Sequence, residues 1–502
     1  MSFLLSSSHK YERLAADDGS VEEPRRRSLG SLATMAVAAC VLLAMASSAL
    51  SAASTVLFSG CDNVQQGFQC SPEISHLWGQ YSPFFSVPSS APDDIPCQCK
   101  VTFANVLSRH GARDPTASKT TIYSHLVGNL TANVTSFVGK YAFLVDYKYT
   151  LGADLLTELG RQQMVNSGVK FYERYKHLAV GTTPFVRAAS EQRVVDSASN
   201  FTLGFHQALN SDNSGAHDDY PYPIIVIPEA PGSNNTLSHG LCTAFEDGPA
   251  SDTGKDAQSQ WMDVFVPPIQ KRLQEDLPGA QFTKEDVIFF MDLCPFETVA
   301  SPVGSISPIC HLFTRREWQQ YDYYETLGKW YGFGPGNYFG ATNGVGFVNE
   351  LLARMTQSPV NDHTSTNTTL DSDPVTFPLD EKHTLYADFT HDNDMTSILA
   401  ALGIYADTAP LSNLTMRSPE ETNGYSASWT VPFASRVYIE KLHCEAGSPT
   451  SDDHERVRIL VNDRVVPLPL CGSDTNGMCG LGAFVNSLSF ARAGGKWEEC
   501  FK

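Results

Sequence analysis

Ser108-Arg109-His110-Gly111-Ala112-Arg113-Asp114-Pro115-Thr116 sets a histidine between two arginines. A planar guanidinium binds a pair of phosphate oxygens through parallel charge-assisted hydrogen bonds, so Arg109 and Arg113 read as a phosphate clamp. An imidazole inside such a clamp can attack phosphorus and form a covalent phosphohistidine, which makes His110 a candidate nucleophile. Gly111 is expected to let a ligand approach the backbone closely. The competing reading is a basic surface turn, and the long RHGxRxPT string is far more specific than the RHG tripeptide alone. The preceding run Lys100–Ser108 is rich in β-branched and apolar residues and reads as a buried strand. The string therefore sits at the C-terminal end of a strand, where open α/β sheets bind ligands. Pro115 and Thr116 then break the chain.

A second segment has the same layout. Thr384–Thr390 reads as a strand that delivers His391-Asp392-Asn393-Asp394, and the apolar run Met395–Leu402 reads as a helix. A carboxylic acid beside a bound phosphoester can protonate the leaving oxygen, a role open to Asp392, while His391 can hydrogen-bond the phosphoryl group. Read alone, the HDND cluster also suits a metal-ligand set or a helix N-cap. A third segment, Pro184–Val195, follows a strand-like entry and opens a helix. It offers Arg193 or Arg187 as the third arginine of a phosphate cradle, and spacing does not choose between them.

These three segments, in this order, resemble the histidine acid phosphatase branch of the histidine phosphatase superfamily. The similarity is greater still to the secreted 3-phytases of filamentous fungi. It extends over nearly all of residues 61–502, through Cys61-Asp62, Ser75–Tyr81, Gly139–Leu144, Ala387–Asn393, Trp429–Arg436 and Val461–Leu468. The resemblance implies an α/β fold: a three-layer phosphatase core with a smaller, mostly α-helical subdomain. It implies phosphomonoester hydrolysis without metal or cofactor, with phytate as the substrate and broad phosphomonoesterase activity as the alternative. His110 would be the nucleophile and Asp392 the proton donor. Arg109, Arg113 and Arg193 would hold the scissile phosphate, with His391 assisting and with Lys119 and Asn393 binding substrate. The family pattern thus selects Arg193 over Arg187. It also implies five disulfides, Cys61–Cys70, Cys99–Cys444, Cys242–Cys500, Cys294–Cys310 and Cys471–Cys479, leaving Cys40 and Cys97 over. A catalytically silent, phosphate-binding cell-surface protein is the reading from another class, and retention of both His110 and Asp392 argues against it.

The chain departs from the phytase pattern in two respects. The residue after the second clamp arginine is usually tyrosine and here is Asp114, whose carboxylate is expected to face and repel the substrate's remaining phosphates. Lysines of a phytase pocket are replaced by Thr121, Ile122, Val145 and Gly328, while Lys119 and Lys329 remain.

Composition sets the frame for this chemistry. The 502 residues are 42% hydrophobic, ample for a large core. The formal charge of −20 argues against a nucleic-acid partner. A sequence pI near 5.1 lets that charge fade at acid pH, where Asp392 can also be protonated. The 12 cysteines are scattered, with no zinc-type spacing. Sequons begin at Asn129, Asn133, Asn200, Asn234, Asn367 and Asn413, which favours a glycosylated protein in an oxidising compartment. Three segments are expected: a polar, basic tail over 1–30, an apolar span over 31–54 and the catalytic part over 55–502, itself two domains with the site in a cleft. The apolar span, preceded by Arg25-Arg26-Arg27, suits a type II signal anchor with a cytoplasmic tail. A cleaved signal peptide is the alternative. Either places a monomeric enzyme outside the cell, secreted or tethered to the membrane.

Overall fold

The computed structural model describes residues 69, 71–212, 220–301, 305–445 and 454–502. The chain divides into two compact units, Met1–Ser59 and Gly60–Lys502, and every described residue belongs to the second. The expected tail, the apolar span, Cys40 and the Cys61–Cys70 bridge lie outside the described residues. No helix among the described residues is long and apolar enough to cross a membrane.

The strands are β1 (Cys99–Arg109), β2 (Phe185–Ala189), β3 (Ile224–Ile227), β4 (Leu385–Thr390), β5 (Arg436–Cys444), β6 (Glu455–Val461), β7 (Arg464–Val465) and β8 (Cys479–Gly480). They form one mixed sheet in the order β3-β2-β4-β1-β5-β6-β7, with β8 on β6. β3, β2, β4 and β1 run parallel, and β5 turns antiparallel against β1. The long apolar run of β1 has its reason here. From Phe103 onward every residue is buried, as expected of a central strand covered on both faces.

The helices that matter below are α1 (Ala117–Asn133), α2 (Glu158–Tyr175), α3 (Gln192–Ser211), α4 (Thr253–Asp276), α5 (Lys284–Ala300), α6 (Arg315–Gly332), α7 (Val345–Thr356) and α8 (Asp392–Ala401). α3 packs on β2, β3 and β4 and along α2. α8 packs on β1, against α7 and α6. Between β3 and β4 the described residues form helices and no strand; α4 packs against both α5 and α6, and α1 packs on α5.

Beneath the C-terminal edge, a buried ionic network ties three strands together. Asp388 of β4 accepts from Arg187 Nε of β2 at 2.7 Å and from Arg354 Nη1 of α7 at 2.6 Å, and Asn105 of β1 donates to it at 3.1 Å. Arg187 also donates to Glu350 at 2.7 Å. Burial pushes the Asp388 carboxyl up, but the two guanidinium groups pull it down to about 2.

Four of the implied disulfides are formed: Cys99–Cys444, Cys242–Cys500, Cys294–Cys310 and Cys471–Cys479. Cys97 is exposed and free. Bridges of this number belong to a protein that folds in an oxidising compartment.

Candidate active site

Strand order builds the site. β2, β4 and β1 are neighbours and parallel, so the three segments singled out from the sequence leave the sheet side by side at one edge. Arg109 pairs in register with Thr390, which brings His110 and His391 together as the next residues. Their ring centres lie 5.5 Å apart, edge to face. The His110 N–H donates to Thr390 O at 3.1 Å, fixing the exit from β1 against β4.

His110 is buried, and its Nδ1–H donates to the Gly111 carbonyl at 2.8 Å. A carbonyl only accepts, so the proton sits on Nδ1 and the Nε2 lone pair is left free. Burial, then Arg109 and Arg113, hold the imidazole well below the usual histidine range. Both effects favour the neutral, nucleophilic form of the ring.

The arginines differ in how they are held. Arg109 is fully buried; its Nη1 donates to Val431 O at 2.8 Å and to Gln80 O, and its Nη2 lies 3.4 Å from Asp392 Oδ1. Burial lowers this guanidinium to about 10, against the pull of Asp392. Arg113 donates to the Asp114 carbonyl at 2.7 Å and has no carboxylate partner among the described residues. Arg193, the second residue of α3, is ion-paired to Glu191 and lies 3.9 Å from Asp154. Arg109 Nε and Nη2, Arg113 Nε and Arg193 Nε are buried without a hydrogen-bond partner. All three charges bear on His110. Arg187, the rival, lies in the buried network with Asp388 and Glu350 and has no place in the cradle.

Asp392 is the first residue of α8, where the helix dipole favours a carboxylate. Burial pushes it up, but Arg109 and Lys329 hold it well below the usual carboxylate range. Lys329 Nζ donates to Asp392 Oδ2 at 2.5 Å and to Asn393 Oδ1 at 2.6 Å. The lysine is delivered by α6, whose start is fixed by a reciprocal Thr314–Glu317 cap. His391 is the N-cap residue of α8, but its side chain makes no cap bond; its Nε2 donates to Glu229 Oε1 at 3.0 Å. Glu191, Glu229 and His391 place one ligand atom each within 4.8 Å of one another, and every member is already engaged inside the protein.

Three residues make contacts that the sequence does not announce. Gly111 is required by packing rather than by ligand approach: a Cβ there would lie 2.3 Å from Gly160 O, at the start of α2. Asp114 belongs to a turn, since its Oδ1 accepts the Gly152 N–H at 3.1 Å. Lys119 Nζ lies 3.7 Å from Asp292 and 4.3 Å from the centre of the Phe289 ring.

Glu229 and the grip of Lys329 on Asp392 were not legible in the sequence. The signal for Glu229 was present: Ile224–Ile227 is a β-branched run, and Glu229 follows its C-terminal end.

The sequence profile of the histidine phosphatase superfamily (branch 2) matches residues 100–462. The chain belongs to this superfamily. Phytase A of Aspergillus oryzae is 52% identical over 447 residues, covering 88% of this chain and 94% of that protein. Phytase A of Aspergillus fumigatus is 51% identical over 445 residues, with the same coverage of 88% and 94%. Among solved structures, the phytase from D. castellii superposes with a TM-score of 0.68 at 22% identity, covering 85% of this chain and 87% of that one. That likeness bears on the fold, and it agrees with the α/β class read from the sequence.

Proposed function

We propose that this histidine phosphatase hydrolyses phytate through a phosphohistidine on His110. One observation carries the mechanism: a neutral imidazole, with its proton fixed on Nδ1, lies under three arginines whose buried donors are not all used. Arg109, Arg113 and Arg193 take the phosphoryl oxygens. His110 Nε2 attacks phosphorus as the ester P–O bond breaks, and Asp392 gives its proton to the leaving oxygen. Water then attacks the phosphohistidine, Asp392 takes the water's proton, and inorganic phosphate leaves as the P–N bond breaks.

Asp392 is ionised in the ligand-free site. A bound phosphate anion offsets Arg109 and raises the carboxyl's proton affinity, and a phosphate monoanion at acid pH brings the proton with it. This favours an acid optimum. Lys329 keeps Asp392 aimed, and Asn393 keeps Lys329 in place.

The substrate assignment rests on the phytase relatives. The broad-specificity alternative has one observation in its favour: the two remaining lysines of the phytase pattern are already engaged. Lys329 is spent on Asp392 and Asn393, Lys119 sits on Asp292 and Phe289, and Ile122 and Val145 are exposed apolar residues. Phosphate release from phytate and from an aryl phosphate, compared at pH 5, separates the two. Phytate turnover at least comparable with the aryl ester supports the first reading; aryl phosphatase activity with negligible phytate turnover selects the second. The enzyme acts outside the cell as a glycosylated monomer, secreted or tethered by its N-terminal segment.

A further inference from the structure

β3 ends at Ile227, and Glu229 follows across Pro228. Its carboxylate is used twice. Oε1 accepts from His391 Nε2 at 3.0 Å, and Oε2 accepts the backbone N–H of Glu191 at 2.6 Å. The Glu229 N–H in turn donates to Ser190 Oγ at 3.0 Å. Glu191 is the N-cap residue of α3, the helix that carries Arg193. One carboxylate therefore touches both the histidine that follows β4 and the start of the arginine helix that follows β2. The His391 and Glu229 side chains are only 13% and 14% exposed. Burial pushes the Glu229 carboxyl up, but the His391 hydrogen bond prevails and leaves it below the usual glutamate range, a charged acceptor.

The hydrogen bond has a consequence for His391. Its Nε2 proton is committed to Glu229, so Nδ1 is the nitrogen left for a phosphoryl oxygen. That oxygen is an acceptor, so Nδ1 must also carry a proton when it binds. The ring then holds two protons, beside His110, and Glu229 supplies the negative charge that matches it.

We propose that Glu229 is a positioning residue of the phosphoryl-transfer step, orienting His391 as a two-proton donor with Nδ1 toward the phosphoryl group while anchoring the N-terminus of the helix that presents Arg193. The proposal rests on the phosphohistidine reading above. Loss of a hydrogen bond to a charged group predicts that Glu229→Gln lowers kcat/KM for an aryl phosphate on the order of 10- to 100-fold, with most of the loss in kcat.

A double-mutant cycle with His391→Asn provides the test. In the His391→Asn background, Glu229→Gln should cost less than about threefold, because the His391 route is already gone and the glutamine oxygen can still accept the Glu191 N–H. Glu229→Asp, with the charge kept, should recover part of the activity, and both Glu229 variants should melt cooperatively. Full additivity of the two substitutions, or unchanged kinetics in Glu229→Gln, overturns the proposal. A folded wild-type enzyme that releases phosphate from neither the aryl ester nor phytate instead overturns the reading beneath it.

Discussion

Arg187 and Arg193 lie six positions apart in one stretch of chain, and both are largely buried, yet they do opposite things. Arg187 spends its Nε on Asp388 and its Nη2 on Glu350, in a network where Arg354 balances the second carboxylate charge. Arg193 belongs to a different cluster, in which Glu191 pairs it and Asp154 lies 3.9 Å away. Arg109 and Lys329 share one carboxylate, Asp392, and Arg113 has none among the described residues. Burying an unpaired cation costs several kcal/mol, so a fold retains one where a ligand is to supply the missing charge. Unpartnered N–H groups do not by themselves make the distinction. Arg354 Nε and Arg436 Nε are also unpartnered, and those guanidinium groups lie over Tyr386 and Phe84, at 4.7 and 3.6 Å. What marks the cradle is three guanidinium groups bearing on one buried histidine, with Arg113 lacking a carboxylate partner among the described residues.

Breaking either side of this contrast should give different failures. His110→Ala is expected to abolish turnover while leaving the thermal unfolding transition in place, because the cradle is not what holds the sheet together. A protein that loses its fold with this substitution would erase the contrast. Asp388→Asn should do the reverse in kind: it leaves Arg187 and Arg354 under-compensated and destabilises by about 3–5 kcal/mol, read by denaturant unfolding.

The balanced network also has a pH signature. The Asp388 carboxyl is depressed in the fold, so its stabilisation is present above its unfolded value and is lost only as pH falls through about 2. Asp371, beside Glu350, is the opposite case. Burial and Glu350 raise it to about 7, so its contribution is whole below its unfolded value and fades as pH rises through about 7. Stability should therefore hold from pH 5 down to pH 4 and decline from pH 5 to pH 8. Melting temperatures across that range that rise with pH would contradict this.

The cradle side was legible in the sequence because its parts are contiguous. RHGxRxPT and HDND each follow a strand, and parallel strand order does the rest. Arg193 could be separated from Arg187 only by family resemblance, since both occur in the segment that spans β2 and the start of α3. Glu229 was passed over because its partner is 162 residues away, and Lys329 reaches Asp392 across 63. The packing of Gly111 and the turn contact of Asp114 were hidden for a related reason. Their constraints come from Gly160 and Gly152, backbone neighbours that no local pattern announces.

Two smaller effects sharpen the roles around the cradle. Asp392→Asn should slow esters with poor leaving groups, such as inositol phosphates, more than aryl phosphates with acidic leaving groups. Equal losses on both would make Asp392 structural. Val145→Lys adds a cation at an exposed position, 64% accessible. It should lower KM for phytate by up to about fivefold, an exposed charge contact being worth no more than ~1 kcal/mol, and leave a small monoester unaffected. Unchanged KM would place Val145 outside the reach of the substrate's outer phosphates.

The most direct test of the central claim is to trap the intermediate. Enzyme mixed with radiolabelled phosphate ester and denatured within milliseconds at alkaline pH, where a phosphorus–nitrogen bond survives, should carry label on the peptide containing His110. The label should be acid-labile and absent from His110→Ala. Label on a serine, cysteine or aspartate, or label retained in His110→Ala, would contradict the account.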